Sequence, residues 1–251
     1  TLLNAFASGE IESMNSISPE SAEMLEEKGY RVEKTPFPRV FGVFFNQNQA
    51  SIFTDKTVRR ALNISIDKKR IIDEILRGYA TVINSPIPPG ALGYTEILPN
   101  NEFISPKERT EYTRSILEEG GWEFDEKENV MVKKTKKETV ELAFSISTSE
   151  VPELKEAANM LKEIWEKLGA KVEVKIFEIG DLNQNIIRPR KYDALLFGEV
   201  IGRDSDLFAF WHSSQRLDPG LNIAMYANIT TDKLLDLDTV FRLAVTLLVE
   251  F

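Results

Sequence analysis

The chain has 251 residues, 42% of them hydrophobic and 28% charged, which fits an ordinary globular protein of one large domain or a domain plus part of another. A formal charge of −9 and a pI near 5 exclude a nucleic-acid binder, whose phosphate contacts need clustered Lys and Arg. The absence of cysteine excludes disulfides, zinc thiolates and thiol catalysis within this span, and the single histidine, His212, excludes any multi-histidine metal site.

From the start, Leu2, Leu3 and Phe6 share the face of a short helix that stops at Ser8 and Gly9. Ile11 to Met14 predict a brief strand. Ser18 and Pro19 occupy the N-cap and N1 positions of a helix running to Lys28, with Gly29 after it. Tyr30 to Lys34 alternate as a strand, and Pro36 and Pro38 then interrupt.

The stretch from Arg39 to Ala80 is the one around which the rest of the chain is organised. Its apolar run Val40 to Phe45 suits a half-buried strand, and Asn46 to Ser51 break that run with turn formers. Asp55 is placed to cap a helix that turns Val58, Ala61 and Leu62 inward. Asp67 is placed to cap a second helix carrying Ile71, Ile72, Ile75 and Leu76, which Gly78 ends. Thr81 to Ile104, rich in Pro and Gly, reads as an ordered surface loop.

Ser105 and Pro106 start the next helix, with Tyr112, Ile116 and Leu117 as its stripe, and Gly120, Gly121 and Trp122 close it. Asn129 to Lys134 and Glu138 to Ile146 predict a hairpin whose basic tip, Lys133 to Lys137, is solvated. Leu154, Ala157, Ala158, Leu161, Ile164, Trp165 and Leu168 recur at helical spacing up to Gly169. With a strand before it and Val172, Val174 and Ile176 after it, that helix predicts a βαβ unit and a parallel strand pair. Asp181 is placed to cap a short helix through Ile187, and Tyr192 to Phe197 read as a buried strand. The polar loop GEVIGRDSD, Gly198 to Asp206, comes at that strand's C-terminal end, where ligands favour α/β sheets. Thr231 and Asp232 begin another helix. The apolar residues from Thr239 onward are too few to cross a bilayer, which takes about 20.

The text FFNQN, then FTDKTVRRALNISIDKKRII, then RGYA, SPIPPG and ILEEGGW, resembles the large C-terminal lobe of ABC-transporter solute-binding proteins of the peptide/nickel class. The resemblance runs from about Ala5 to Asp236 and implies an α/β fold: a periplasmic-binding-protein-like lobe with a mixed sheet flanked by helices. It makes residues 1–37 a remnant of lobe one, 38–236 the second lobe and 237–251 an atypical apolar tail, so a piece of a longer protein is expected. It also implies a monomeric receptor, with no nucleic acid, that clamps an extended peptide between two lobes. That receptor works at the periplasmic or extracellular face of the cytoplasmic membrane, as a lipoprotein or otherwise anchored, and delivers its ligand to an ABC permease.

Such receptors hold peptides largely by main-chain hydrogen bonds, the ligand lying as an extra strand. By position, Glu199, Val200, Ile201 and Gly202 would line the cleft, with Arg203, Asp204, Trp211 and Asn222 nearby. Asp204 falls at the Asp of the family's Asp-Pro step, with Ser205 in place of the Pro. Many peptide-binding members carry an Asp for the ligand's free amine where this chain has Ile201. Either another acid such as Glu199 takes that role or the ligand lacks a free amine, and an oligosaccharide ligand stays open. No catalytic, cofactor or metal motif is present, since GxGxxG, GxxxxGK, HExxH and GxSxG are absent and Asp204, Ser205 and Asp206 are too few for a hard cation. Two rival readings are a hydrolase built on Asp204, Asp206 and His212 and a regulatory module that has lost transport.

Overall fold

The computed structural model describes residues 2–15, 17–35, 37, 39–89, 94, 105–201 and 207–237. In chain order the elements are α1 (Leu2–Ala7), α2 (Pro19–Glu27), β1 (Arg39–Phe45), α3 (Lys56–Ser65), α4 (Lys68–Glu74), α5 (Pro106–Glu119), β2 (Glu123–Asp125), β3 (Val130–Lys134), β4 (Thr139–Glu141), β5 (Ala143–Ser149), α6 (Pro152–Leu168), β6 (Lys171–Phe177), α7 (Ile179–Asp181), β7 (Ala194–Val200) and α8 (Phe208–Trp211). A π-helical turn, Leu182–Ile187, continues α7.

Contacts divide the chain into two compact units, Thr1–Phe37 with Lys68–Val82, and Pro38–Asp67 with Ile83–Phe251. The first unit holds α1, α2 and α4. Ser18 caps α2 by accepting from Ser21 N at 3.2 Å, as its sequence position predicts. The first unit also takes a segment that the sequence assigns to residues 38–236. The cause is local: Arg77 pairs with Glu23, and Tyr79 donates to Glu26 at 2.6 Å, which ties the end of this segment to α2. The predicted strands at Ile11–Met14 and Tyr30–Lys34 do not form. Tyr30 instead packs edge-on against Phe6, centroids 5.1 Å apart. A strand needs a hydrogen-bonded neighbour, and neither stretch has one among the described residues.

The second unit is built on a mixed sheet of order β1-β7-β5-β6, in which β1 is antiparallel to β7 and β5 runs parallel to both β6 and β7. The predicted βαβ unit is therefore β5-α6-β6. One face of the sheet lies under α6, where Trp165, Phe144, Phe53 and Phe45 form an aromatic chain with successive centroids 5.5, 5.1 and 4.5 Å apart. Trp165 Nε1 donates to Leu62 O at 3.1 Å and joins α6 to α3. Each large side chain buried along α6 contributes about 1.5–3 kcal/mol. The other face is closed by a cluster of Phe44, Leu182, Ile187, Tyr192, Leu195 and Ile223, with Phe177, Phe197 and Trp211 packed against it.

Three local expectations are corrected. The hairpin's second arm splits: β4 pairs with β3 in a separate antiparallel sheet of order β2-β3-β4, while β5 joins the large sheet. Leu142 marks the break, fully buried and donating its N–H to Met131 O at 2.8 Å. The cap before the π-helical turn is Glu178, whose carboxylate accepts from Gly180 N and Asp181 N at 2.9 and 3.1 Å, so Asp181 lies inside the helix. Finally, β7 does not end at Phe197 but runs to Val200.

Candidate functional site

The extension of β7 re-sites the candidate ligand surface. Gly198, Glu199 and Val200, expected in a loop, pair with Phe41, Val40 and Arg39 of β1. A partner more than 150 positions away in sequence carries no local signal, whereas Gly-Glu reads locally as a break.

On its other side β7 pairs with β5 only at Ala194 and Leu195, opposite Ile146 and Ser147. One residue further on, Thr148 Oγ1 donates to Leu196 O at 2.9 Å. Residues of a strand turn their N–H and C=O alternately to either side. Asp193 O accepts from Asn46 N on the β1 side at 2.8 Å, and Leu196 O faces β5. The backbone groups of Gly198 and Val200 therefore face the β5 side, beyond the last β5–β7 pair, while those of Glu199 face β1. Among the described residues, the main-chain groups that no neighbouring strand pairs are those of Gly198 and Val200, whereas the backbone of Glu199, expected to line the cleft, is turned to β1. Ile201 is buried. Gly202, Arg203, Asp204 and Asp206 lie outside the described residues.

The Glu199 side chain points to the face closed by Phe44 and Trp211. It is 9% exposed, and burial pushes its carboxyl up to about 8 against the downward pull of the Arg190 guanidinium. Arg190 is a hub that sequence reasoning missed. Buried at positive φ, it donates to Arg216 O, Ile187 O and Gly220 O at 2.8, 2.7 and 2.6 Å, pinning the segment after α8 to the π-helical turn. Asn46, inside the FFNQN text, is buried and donates to Arg190 O at 2.9 Å, which gives that motif its structural role.

Trp211 lies edge-to-face with Tyr226, centroids 6.3 Å apart, and its Nε1 is buried without a partner. Asn222, expected near the ligand, is wholly buried and fully engaged. Its Nδ2 donates to Trp211 O, His212 O and Tyr226 O at 3.3, 3.1 and 2.9 Å, and its Oδ1 accepts from Tyr226 N at 3.1 Å. Its amide N–H groups are committed to the carbonyls of Trp211, His212 and Tyr226, which anchors the Trp211 main chain.

His212 stacks on Phe208 at 4.3 Å. Its Nδ1 accepts from Ser214 N at 3.1 Å, so the ring caps the next turn. Nε2 faces Asp236 and Asp232 at 3.5 and 4.0 Å. Hydrogen bonds from the Ser213 hydroxyl and N–H hold the Asp232 carboxyl below the usual range. Nδ1 thus serves as a turn cap, with Nε2 turned toward two carboxylates. Among the described residues no group of three or more potential metal ligands converges, and no helix is long and apolar enough to cross a membrane.

A family model described as bacterial extracellular solute-binding proteins, family 5 middle, matches residues 1–217. The oligopeptide-binding protein AppA of Bacillus subtilis is 28% identical over 198 residues, 77% of this chain and 35% of the relative. The dipeptide-binding protein of Pseudomonas aeruginosa is 23% identical over 184 residues, 72% of this chain and 31% of the relative. This chain thus spans about a third of the length of these curated relatives. Among solved structures, AppA in complex with a nonapeptide superposes with a TM-score of 0.68 at 25% identity, over 79% of this chain and 38% of that one. NikZ from Campylobacter jejuni, in complex with Ni(L-His), superposes with a TM-score of 0.72 at 20% identity, over 94% of this chain and 45% of that one. The α/β fold with a mixed sheet flanked by helices is the one these structures share. With the model match covering most of its length, the chain belongs to the bacterial extracellular solute-binding proteins of family 5.

Proposed function

We propose that the complete protein is the capture receptor of an ABC importer, which holds an extended peptide between two lobes on the extracytoplasmic side and hands it to a membrane permease. The second unit belongs to one lobe of that receptor, and the first unit to the other. The observation that carries this reading is the open main-chain edge of β7 at Gly198 and Val200, at the C-terminal end of a strand in a mixed sheet. A ligand strand that pairs with this edge gains affinity from its own backbone and places few demands on its side chains. Glu199 and Trp211 flank the edge, and Gly202, Arg203 and Asp204 come after it in sequence. Likeness to an oligopeptide-binding and a dipeptide-binding protein supports a peptide ligand.

The work is binding and not catalysis. The capping bond at Nδ1 and the stacking on Phe208 support a structural role for His212, so His212→Ala should change ligand affinity only a few-fold. A hydrolytic activity that vanishes with this substitution would establish the hydrolase instead. The primary test is mass spectrometry of small molecules that copurify with the complete protein, followed by calorimetry with synthetic versions of them. Peptides of several residues are expected, and a purely saccharide ligand set would overturn the reading. This chain alone should bind those peptides far more weakly than the complete protein, since most of one cleft wall lies in the other lobe.

A further inference from the structure

Ser149 at the end of β5, Glu199 near the end of β7 and Trp211 at the end of α8 carry three polar groups left unsatisfied among the described residues. Ser149 Oγ and Trp211 Nε1 are buried without a hydrogen-bond partner. Glu199 is 9% exposed, and no hydrogen bond reaches its carboxyl among the described residues. Native interiors leave few such groups, and each one asks for a cause.

Strand register puts the three on one face. Ser147 pairs with Leu195, so Ser149, Phe197 and Glu199 point the same way, as does Phe177, which lies opposite Ser149 on β6. Phe177, Phe197 and Trp211 pack against a single cluster around Phe44, Leu195 and Ile223, which brings the indole to that face. Carried on past the last β5–β7 pair, strands about 4.8 Å apart with about 3.3 Å per residue would set the Cα atoms of Ser149 and Glu199 about 8 Å apart, a span that one ligand group could bridge.

The chemistry of the set selects that group. Trp211 Nε1 only donates, and a serine hydroxyl donates or accepts. Burial keeps the Glu199 carboxyl largely protonated at neutral pH, so it donates too. Among the described residues the charged and titratable groups that act on Glu199 are Arg190 and Tyr192. Arg190 is cationic and held by three backbone carbonyls, while burial raises the Tyr192 hydroxyl and keeps it neutral. Among the described residues no ionised acid faces this site, so a ligand ammonium would add a second cation beside Arg190, whereas an amide offers an acceptor to the donors and an N–H to the serine.

We propose that Glu199, Ser149 and Trp211 form a polar subsite for an uncharged amide-type group of the ligand, a peptide unit or a carboxamide, and not for a free ammonium. This rests on the peptide-receptor reading above and narrows it.

The test is calorimetry on the complete protein at pH 7 with two probes, free pentaalanine and pentaalanine acetylated at its N-terminus and amidated at its C-terminus. The blocked probe should bind at least as tightly as the free one. Glu199→Gln, which keeps a neutral donor, should stay within about threefold of the parent. Glu199→Ala and Trp211→Phe should each weaken binding about tenfold, and Ser149→Ala several-fold, with thermal unfolding confirming that each variant is folded. Affinity of the parent should fall about tenfold between pH 7 and 9, and that of Glu199→Gln should not. A tenfold preference for the free amine that is lost in Glu199→Gln would overturn the subsite while leaving the peptide receptor standing. Unchanged binding of the blocked probe by all four variants would overturn it equally. A complete protein that binds neither probe nor any copurified peptide would sink both readings.

Discussion

The Phe41 ring lies over the Cα of Gly198, so close that a methyl added at Gly198 would sit 2.5 Å from Phe41 Cε1. The two residues are directly paired across β1 and β7, at the start of the open edge. Phe41 is half-exposed, so its ring can swing outward to make room. Gly198→Ala should therefore cost about 0.5–1 kcal/mol and not unfold the sheet. In a Phe41→Ala background the same change should be near neutral, and a double-mutant cycle by urea unfolding measures the coupling. Additive effects would mean that the ring does not depend on the glycine.

Asp55 joins three elements. It accepts from Thr57 N at 2.9 Å as the cap of α3, from Trp122 Nε1 at 3.2 Å after α5, and from Lys133 Nζ at 2.8 Å on β3. Burial pushes its carboxyl up, but the hydrogen bonds from Lys133, Thr57 and Trp122 together outweigh burial and hold it below the usual range. A depressed folded pKa contributes stability that is complete above the unfolded value and is lost as pH falls through the folded one. Asp55→Ala should thus destabilise by about 1–2 kcal/mol at pH 7. The gap from the parent should narrow as pH falls below the unfolded carboxyl value of about 3.9 and through the depressed folded one. A gap that persists unchanged to pH 2 would assign the effect to packing instead.

How much the sequence disclosed depends on where its signals live. α6 was legible because its core residues recur at helical spacing within one segment, and the caps Ser18, Asp55 and Ser105 were legible because each acts within three residues of itself. Strand pairing is non-local and leaves little signal within one segment. β2 is only three residues long, and Gly198–Val200 look like a loop until β1 is laid beside them. The family resemblance pointed to the segment after Phe197, but position alone does not separate Asn222, whose amide holds three backbone carbonyls, from Trp211, whose indole N–H is buried without a partner among the described residues. Ser145, Ser147 and Ser149 alternate in a strand that is almost wholly buried. That period-two polar face is the local signal that bears on the proposed subsite, and the same alternation also fits the arm of a hairpin.

Asn222 separates positioning from contact. Asn222→Ala removes four hydrogen bonds from a fully buried site and strands the carbonyls of Trp211 and His212, a loss on the order of 3 kcal/mol. Ligand affinity should fall with it, because Trp211 loses its anchor. Asn222→Asp keeps the acceptor for Tyr226 N and should recover little of either, since three of the four bonds need the amide donor. The check is to plot affinity against unfolding free energy for the two variants together with Tyr226→Phe. A full affinity loss at unchanged stability would make Asn222 a direct ligand contact.

The Glu199 carboxyl carries the opposite linkage sign to Asp55. Its folded pKa of about 8 lies above the unfolded value, so the folded state binds more protons than the unfolded chain in the interval between them. Stability is therefore highest below the unfolded value near pH 4 and falls as pH rises toward 8. Glu199→Gln removes the proton-linked cost while keeping the shape, so it should stabilise the ligand-free protein on the order of 3 kcal/mol at pH 7 and hardly at all at pH 4. Urea unfolding of parent and variant at the two pH values reads this directly. An increment that is the same at both would show that Glu199 is ionised in the folded protein, and the donor role assigned to it in the subsite would go with it.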